Sequence, residues 1–411
     1  MAKLLEEYLK ITNGNENTKR LLNNLVETIP KNSKPAYEKV IEINHKLDKL
    51  GFIYSPHVIS LDDVLKTKSA NCLSKPLLIG GVLDKQNIPF NYELAVNIQD
   101  SIFEDEKFFL KEVQEKTDYN NPKLSTEKIL HPIYRFAPIE HLRIKTPDGK
   151  SIETTMLEES VFGQESSKII DVNGALSMLH KDLAVDSIGN EDYKTAKDHI
   201  KKSIKKWGKN REAHSLKAFL GGSLFDDKMF NEGIESYSKL KGNDSLYFYN
   251  LFLLTEEKSA LEKSLEKYPR YANAIASKAS IFTGKNPRES RYLYSIASQL
   301  ISASSELSLG SFYVQNYKNI EKLYGKEKIV KILDNFKDEQ FGNFDYHFAR
   351  FSFEGNEEDF FEAESAAQLP VQKFILWDTV KNTKLFNSKE FENLVKQHKD
   401  SKLFLNLMQK Y

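Results

Sequence analysis

"LDDVLKTKSANCLSKPLLIGGVLDKQNIPF", residues 61–90, holds the only cysteine of the 411-residue chain, and its reading decides how the first half folds. A single thiol forms no intramolecular disulfide, so Cys72 is either an inert core residue or a reactive group. Ser69 and Asn71 stand before it as candidate N-caps, and Pro76 suits a first helical turn. Cys72 is therefore predicted to open a helix that continues to Lys85. At that end the unpaired backbone N–H groups and the helix dipole favour a thiolate, and the same groups suit a developing oxyanion. A plain thiol is only about 3% ionised at pH 7. Free cysteine is equally at home in a packed core, so this stretch alone leaves both readings open. Further along, Leu77, Leu78 and Val82 form an apolar side. Gly80 and Gly81 each cost about 1 kcal/mol inside a helix, which points to close approach of another element. No Lys-Ser/Thr follows them in a Walker spacing.

Outward from this stretch, apolar residues recur at helical spacing from Leu4 to Leu50, as in "AYEKVIEINHKLDKL". "GFIYSPHVIS" reads as a short extended piece and "LDDVLKT" as a brief helix. "IPFNYELAVNI" is rich in β-forming residues and reads as a strand. Gln99 to Phe136 is polar and is taken as an insertion with one helix near "EDEKFFLKEVQEK".

A hairpin follows. "EHLRIKTPDGKSIETTML" carries two alternating runs around "TPDG". A three-residue loop at Pro147–Gly149 pairs Thr146 with Lys150 and puts residue 143 opposite 153. His141 and Glu153 then become diagonal neighbours on one face, about 7 Å apart at Cβ. A carboxylate there holds an imidazole in the tautomer that a thiol needs. A one-residue slip would send the pair to opposite faces. The competing reading makes His141, Arg143 and Glu153 the wet face of the hairpin. His131, His45 and His57 have no partner that the sequence indicates.

"EESVFGQESSK" reads as a linker, and beyond it the pattern is helical to the end. "YKTAKDHIKKSIKKWGKNREAHSLKA", "FNEGIESYSKLKGNDSLYFYNLFLL" and "SALEKSLEKYPRYANAIASKASI" each pair two amphipathic helices across a polar break. Ala196, Gly233 and Ala260 sit where helices would pack tightly. Irregularly spaced, stacked helix pairs explain this better than one bundle. The basic run "DHIKKSIKKW" reads as the wet face of a repeat helix, with Ile200, Ile204 and Trp207 inward. "NFDYHFARFSF" reads as helix-pair core.

Lys plus Arg and Asp plus Glu stand at 59 each, so no global field draws nucleic acid or an anionic membrane. The start "MAKLLEEYLKI" lacks the basic, unbroken apolar pattern of a signal peptide, and no window approaches a membrane span. A cytoplasmic protein is expected, with no cofactor. One cysteine and no i, i+4 histidine pair leave no zinc site in view.

In order, "KLDKLGFIYS", "SLDDVLKTKSANC", "LLIGGVLDKQNIPFNYELAV", "EHLRI" and "IETTM" resemble the transglutaminase-like branch of the papain-type cysteine enzymes over residues 36 to 157. The resemblance implies Cys72 as nucleophile, His141 as general base and acid, and Glu153 as orienting carboxylate. Three features depart from the family. Ala70 stands where a glycine is usual, the acid is Glu rather than Asp, and an extra polar stretch separates Cys72 from His141. Asn71, Ser69 and Tyr54 are the side-chain candidates for an oxyanion donor. The second half resembles degenerate tetratricopeptide repeats.

The expected fold is an α+β transglutaminase-like domain over residues 1–160 followed by an all-α helical-repeat domain over 161–411. The expected activity is a cysteine hydrolase or acyltransferase acting on a peptide or amide bond, with the repeats recruiting a protein substrate or partner. The alternative is an inactive transglutaminase-like scaffold serving as a protein-interaction adaptor.

Overall fold

Helical periodicity governs most of the chain, and short strands gather in two small sheets within its first half. The computed structural model describes residues 3–31, 34–55, 58–99, 109–126, 139–154, 162–303, 309–336 and 343–410. These form two compact units, Met1–Asp100 with Ile139–Leu216, and Ser101–Pro138 with Lys217–Tyr411. The boundary expected at 160/161 thus falls inside the first unit.

In that unit α1 (Lys3–Ile11), α2 (Glu16–Glu27) and α3 (Ala36–Lys49) bury one stripe each, led by Leu5, Leu22 and Ile43. The chain then forms β1 (Ile53–Tyr54), α4 (Leu61–Thr67) and β2 (Ser69–Ala70), with β1 and β2 parallel. Lys68 ends α4 in the left-handed region. α5 (Ser74–Lys85) is buried over most of its length. Its two glycines are closely approached: a Cβ on Gly80 would lie 2.0 Å from the Tyr92 hydroxyl, and one on Gly81 2.2 Å from Leu5.

The larger sheet is antiparallel in the order β5-β4-β3-β6, from β3 (Asn91–Gln99), β4 (Ile139–Lys145), β5 (Ser151–Ile152) and β6 (Phe162–Ile170). Gly149, at φ +83°, closes the three-residue loop, and the Thr146 N–H donates to the Lys150 carbonyl at 2.9 Å. Even-numbered Tyr92, Leu94, Leu142, Ile144, Ile152 and Ile170 enter the core with α5. β6 corrects the linker expected around "EESVFGQESSK". Its polar sequence has little strand propensity, and pairing along β3 imposes the extended state.

From α7 (Val172–Gly189) and α8 (Tyr193–Lys206) to Lys410, every described regular element is a helix. One device recurs. Ser203 of α8 donates to the Ser177 carbonyl of α7 at 2.8 Å. Ser264 of α12 (Lys258–Lys267) does the same to Ser245 of α11 (Ser245–Thr255) at 2.9 Å. Ser290 of α14 (Pro287–Ala303) does so to Ala279 of α13 (Ala272–Phe282) at 2.8 Å. Trp207 and Tyr268, each four residues after its serine, end their helices in the same way. Small residues permit these approaches: a Cβ on Gly233 in α10 (Asp227–Lys239) would meet the Ala218 backbone nitrogen of α9 (Arg211–Ser223) at 2.6 Å.

The stretch read as an insertion belongs to the second unit. Leu110 and Val113 of α6 (109–116 among the described residues), with Leu124, join a core shared with Ala297 and Tyr313. The aromatic run "NFDYHFARFSF" is a helix, Asn343–Glu354, that buries Phe344, Phe348 and Phe351 in the same core. Among the described residues no helix is long and apolar enough to cross a membrane.

Candidate active site

Cys72 owes its position to the start of α5. The Asn71 side-chain oxygen accepts from the Leu73 and Ser74 amides at 2.9 and 2.7 Å, and Ser74 Oγ accepts from the Asn71 amide at 2.8 Å. The Lys75 N–H closes a helical bond onto the Asn71 carbonyl at 3.2 Å. Asn71 therefore serves as the working cap, although regular helix begins at Ser74. Cys72 sits in this N-terminal turn, half-buried. Among the described residues nothing accepts from its backbone N–H.

His141 and Arg143 come from β4. The register sets Ala95 against His141 and Glu93 against Arg143. On the other edge Ile144 faces Ile152 and Lys145 faces Ser151. One step further along the same register sets Arg143 against Glu153. The odd-numbered face thus carries Glu93, Arg143, His141 and Glu153. It is not the wet face that the competing reading required: His141 is 3% exposed and Arg143 5%.

The Nε2 of His141 lies 2.5 Å from Oε2 of Glu153. Oε1 of that carboxylate accepts from the Thr154 amide at 2.9 Å, so one oxygen is anchored while the other faces the ring. The Cys72 thiol interacts with the same imidazole and helps to hold its proton. Since Nε2 is turned to Glu153, Nδ1 is the nitrogen left for the thiol. Burial pulls the imidazole towards its neutral form. The Glu153 charge and the interactions with Cys72 and Glu153 outweigh it and push the pKa up to about 9. At neutral pH the ring is an imidazolium between a carboxylate and a sulfur.

Arg143 extends the row, its guanidinium 3.7 Å from Glu153 and 3.8 Å from Glu93. The charges alternate from β3 across β4 to the residue that follows β5, a pattern that limits the cost of burying each one. Sequence reading put Arg143 on this face without a role and passed over Glu93, whose signal is a lone carboxylate inside the apolar run "NYELAV".

The three residues singled out in the sequence, Cys72, His141 and Glu153, are thus brought together. Of the oxyanion candidates, Asn71 has its side-chain oxygen engaged in capping, and Ser69 Oγ donates to the Thr67 carbonyl at 3.4 Å. Tyr54 is 44% exposed, with Ala70, two residues before the thiol, as its register partner. The Cys72 N–H is unengaged among the described residues. Of the other histidines named above, His45 is exposed, while His57 and His131 lie outside the described residues. Among the described residues no cluster of three or more His, Cys, Asp or Glu side chains is set to hold a metal. No protein-family model, curated protein or solved structure matches the chain.

Proposed function

We propose that the chain is a cysteine hydrolase or acyltransferase with a transglutaminase-like N-terminal domain, acting on a peptide or amide bond through Cys72, His141 and Glu153. The observation that carries this reading is one buried imidazole 2.5 Å from an anchored carboxylate and in interaction with the lone thiol. Three residues distant in sequence meet in the order that acyl transfer requires.

The thiolate of Cys72 attacks the carbonyl carbon, and the Cys72 N–H faces the oxyanion. The His141 imidazolium gives its proton to the departing amine as the C–N bond breaks, leaving a thioester. Water, or an amine, then attacks that thioester while His141 takes up its proton. Collapse expels the thiolate and restores the starting ion pair. Glu153 keeps the ring oriented and charged in both halves, and Arg143 keeps positive charge beside Glu153. The helical pairs of the second half are the surface that recruits a protein or peptide substrate. The proposed setting is the cytoplasm, where a lone thiol stays reduced.

The test is trapping with an acyl-directed electrophile on the full chain, followed by mass spectrometry. A plain thiol is about 3% ionised at pH 7, so full activation speeds labelling by up to roughly thirtyfold. Wild type is expected to label rapidly, His141→Ala to slow by about that factor, and Cys72→Ser not to label. Equal rates for wild type and His141→Ala refute catalysis and leave the adaptor reading, in which the first half is an inactive scaffold.

A further inference from the structure

A concave region of the first unit lies between α1, the start of α7 and α8, with a volume of about 810 Å³ and without Cys72, His141 or Glu153 in its lining. Its lining is cationic. Lys10 comes from α1, and Lys202, Lys205 and Lys206 come from α8. Two carboxylates, Glu7 and Asp198, also line it, each 2.5 Å from a lysine, Lys206 and Lys202 respectively. Lys10 and Lys205 have no such carboxylate among the described residues. Four lysines against two carboxylates leave a local charge of +2, in a chain whose total is zero.

The wall adds donors of another kind. His180 of α7 and His199 of α8 face each other with Nδ1 to Nδ1 at 3.0 Å, and both border the pocket. Burial holds His180 down at about 4 and lowers His199 as well, so the pair is neutral at pH 7. In a neutral pair one ring accepts at Nδ1. That ring therefore carries its proton on Nε2, where it can donate to a ligand. A concave site with surplus ammonium groups and an imidazole donor matches a compact, multiply charged oxyanion. It does not match an extended polyanion, whose continuing charges would run onto Glu7 and Asp198.

We infer that this pocket binds a small phosphorylated metabolite, using Lys10, Lys202, Lys205, Lys206 and the His180–His199 pair. It assigns a ligand to the basic run "DHIKKSIKKW" and stands independently of the reaction at Cys72.

The probe is inorganic pyrophosphate, titrated into the full chain by calorimetry at constant ionic strength set with chloride. In parallel, the ring signals of His180 and His199 are followed by NMR, assigned from His180→Gln and His199→Gln. The expected result is saturable binding of one pyrophosphate per chain, with both ring signals moving along the same isotherm. Lys10→Gln/Lys205→Gln, two exposed positions, should weaken binding about tenfold or more, the worth of one charged hydrogen bond. Ring signals that stay still, or a double variant that binds as wild type does, overturn the assignment. A single-stranded oligonucleotide that shifts these rings where pyrophosphate does not also overturns it, because the surface would then be a polymer track.

Discussion

Replacing Glu153 with Gln keeps the side chain's shape, leaves an oxygen to accept from the Thr154 amide, and removes one charge 2.5 Å from the His141 ring. That charge is the largest influence raising the imidazole, and burial opposes it. An opposite charge at this range is worth about 1–3 pK units. The titration midpoint of His141, about 9 in wild type, should fall by that amount in Glu153→Gln. The assay is an NMR titration of 13C-labelled histidine, with the His141 signal assigned from its loss in His141→Gln. Stability carries the same signature. The folded ring binds its proton more tightly than the unfolded ring does. The pair's stabilisation is therefore complete below pH 6.5 and is lost as pH rises through about 9. The melting-temperature gap between wild type and Glu153→Gln should be wider near pH 6 than above pH 9, where it closes. A wild-type midpoint near 6.5, or one that Glu153→Gln leaves unmoved, refutes the electrostatic account of the site.

Asn71→Ala removes the acceptor that holds the Leu73 and Ser74 amides. Loss of a cap costs about 0.5–2 kcal/mol. A drop in the urea midpoint with unchanged slope should appear together with slower alkylation of Cys72. A variant as stable as wild type would show that Asn71 is not the cap. In the helical half, Gly233→Ala gains about 1 kcal/mol of helix propensity, but its Cβ would press on the Ala218 backbone at 2.6 Å. Backbone cannot swing aside as a side chain can, so overpacking of about 1–3 kcal/mol should win. A raised melting temperature in this variant would show that α9 and α10 do not pack so closely.

Local patterns in the sequence determined a good deal of this protein. The capped turn before α5, the loop at "TPDG", and with it the face shared by residues 141 and 153, depend on contacts a few residues apart. Side-chain chemistry and backbone preference specify these without distant help. The recurring small residues of the helical half belong to the same class, because tight approach leaves its mark at each position. Tertiary structure alone decided the rest. β6 has a polar sequence that becomes a strand only because β3 offers an edge to pair with. The segment 109–126 reads as a polar insertion, yet Leu110, Val113 and Leu124 complete the core of the second unit. The burial of His141 and Arg143, which turns an ordinary surface pair into a charged row beside a thiol, follows from what covers the odd-numbered face of the sheet. No periodicity within the hairpin encodes that cover, because burial is a property of the partner surface as much as of the strand.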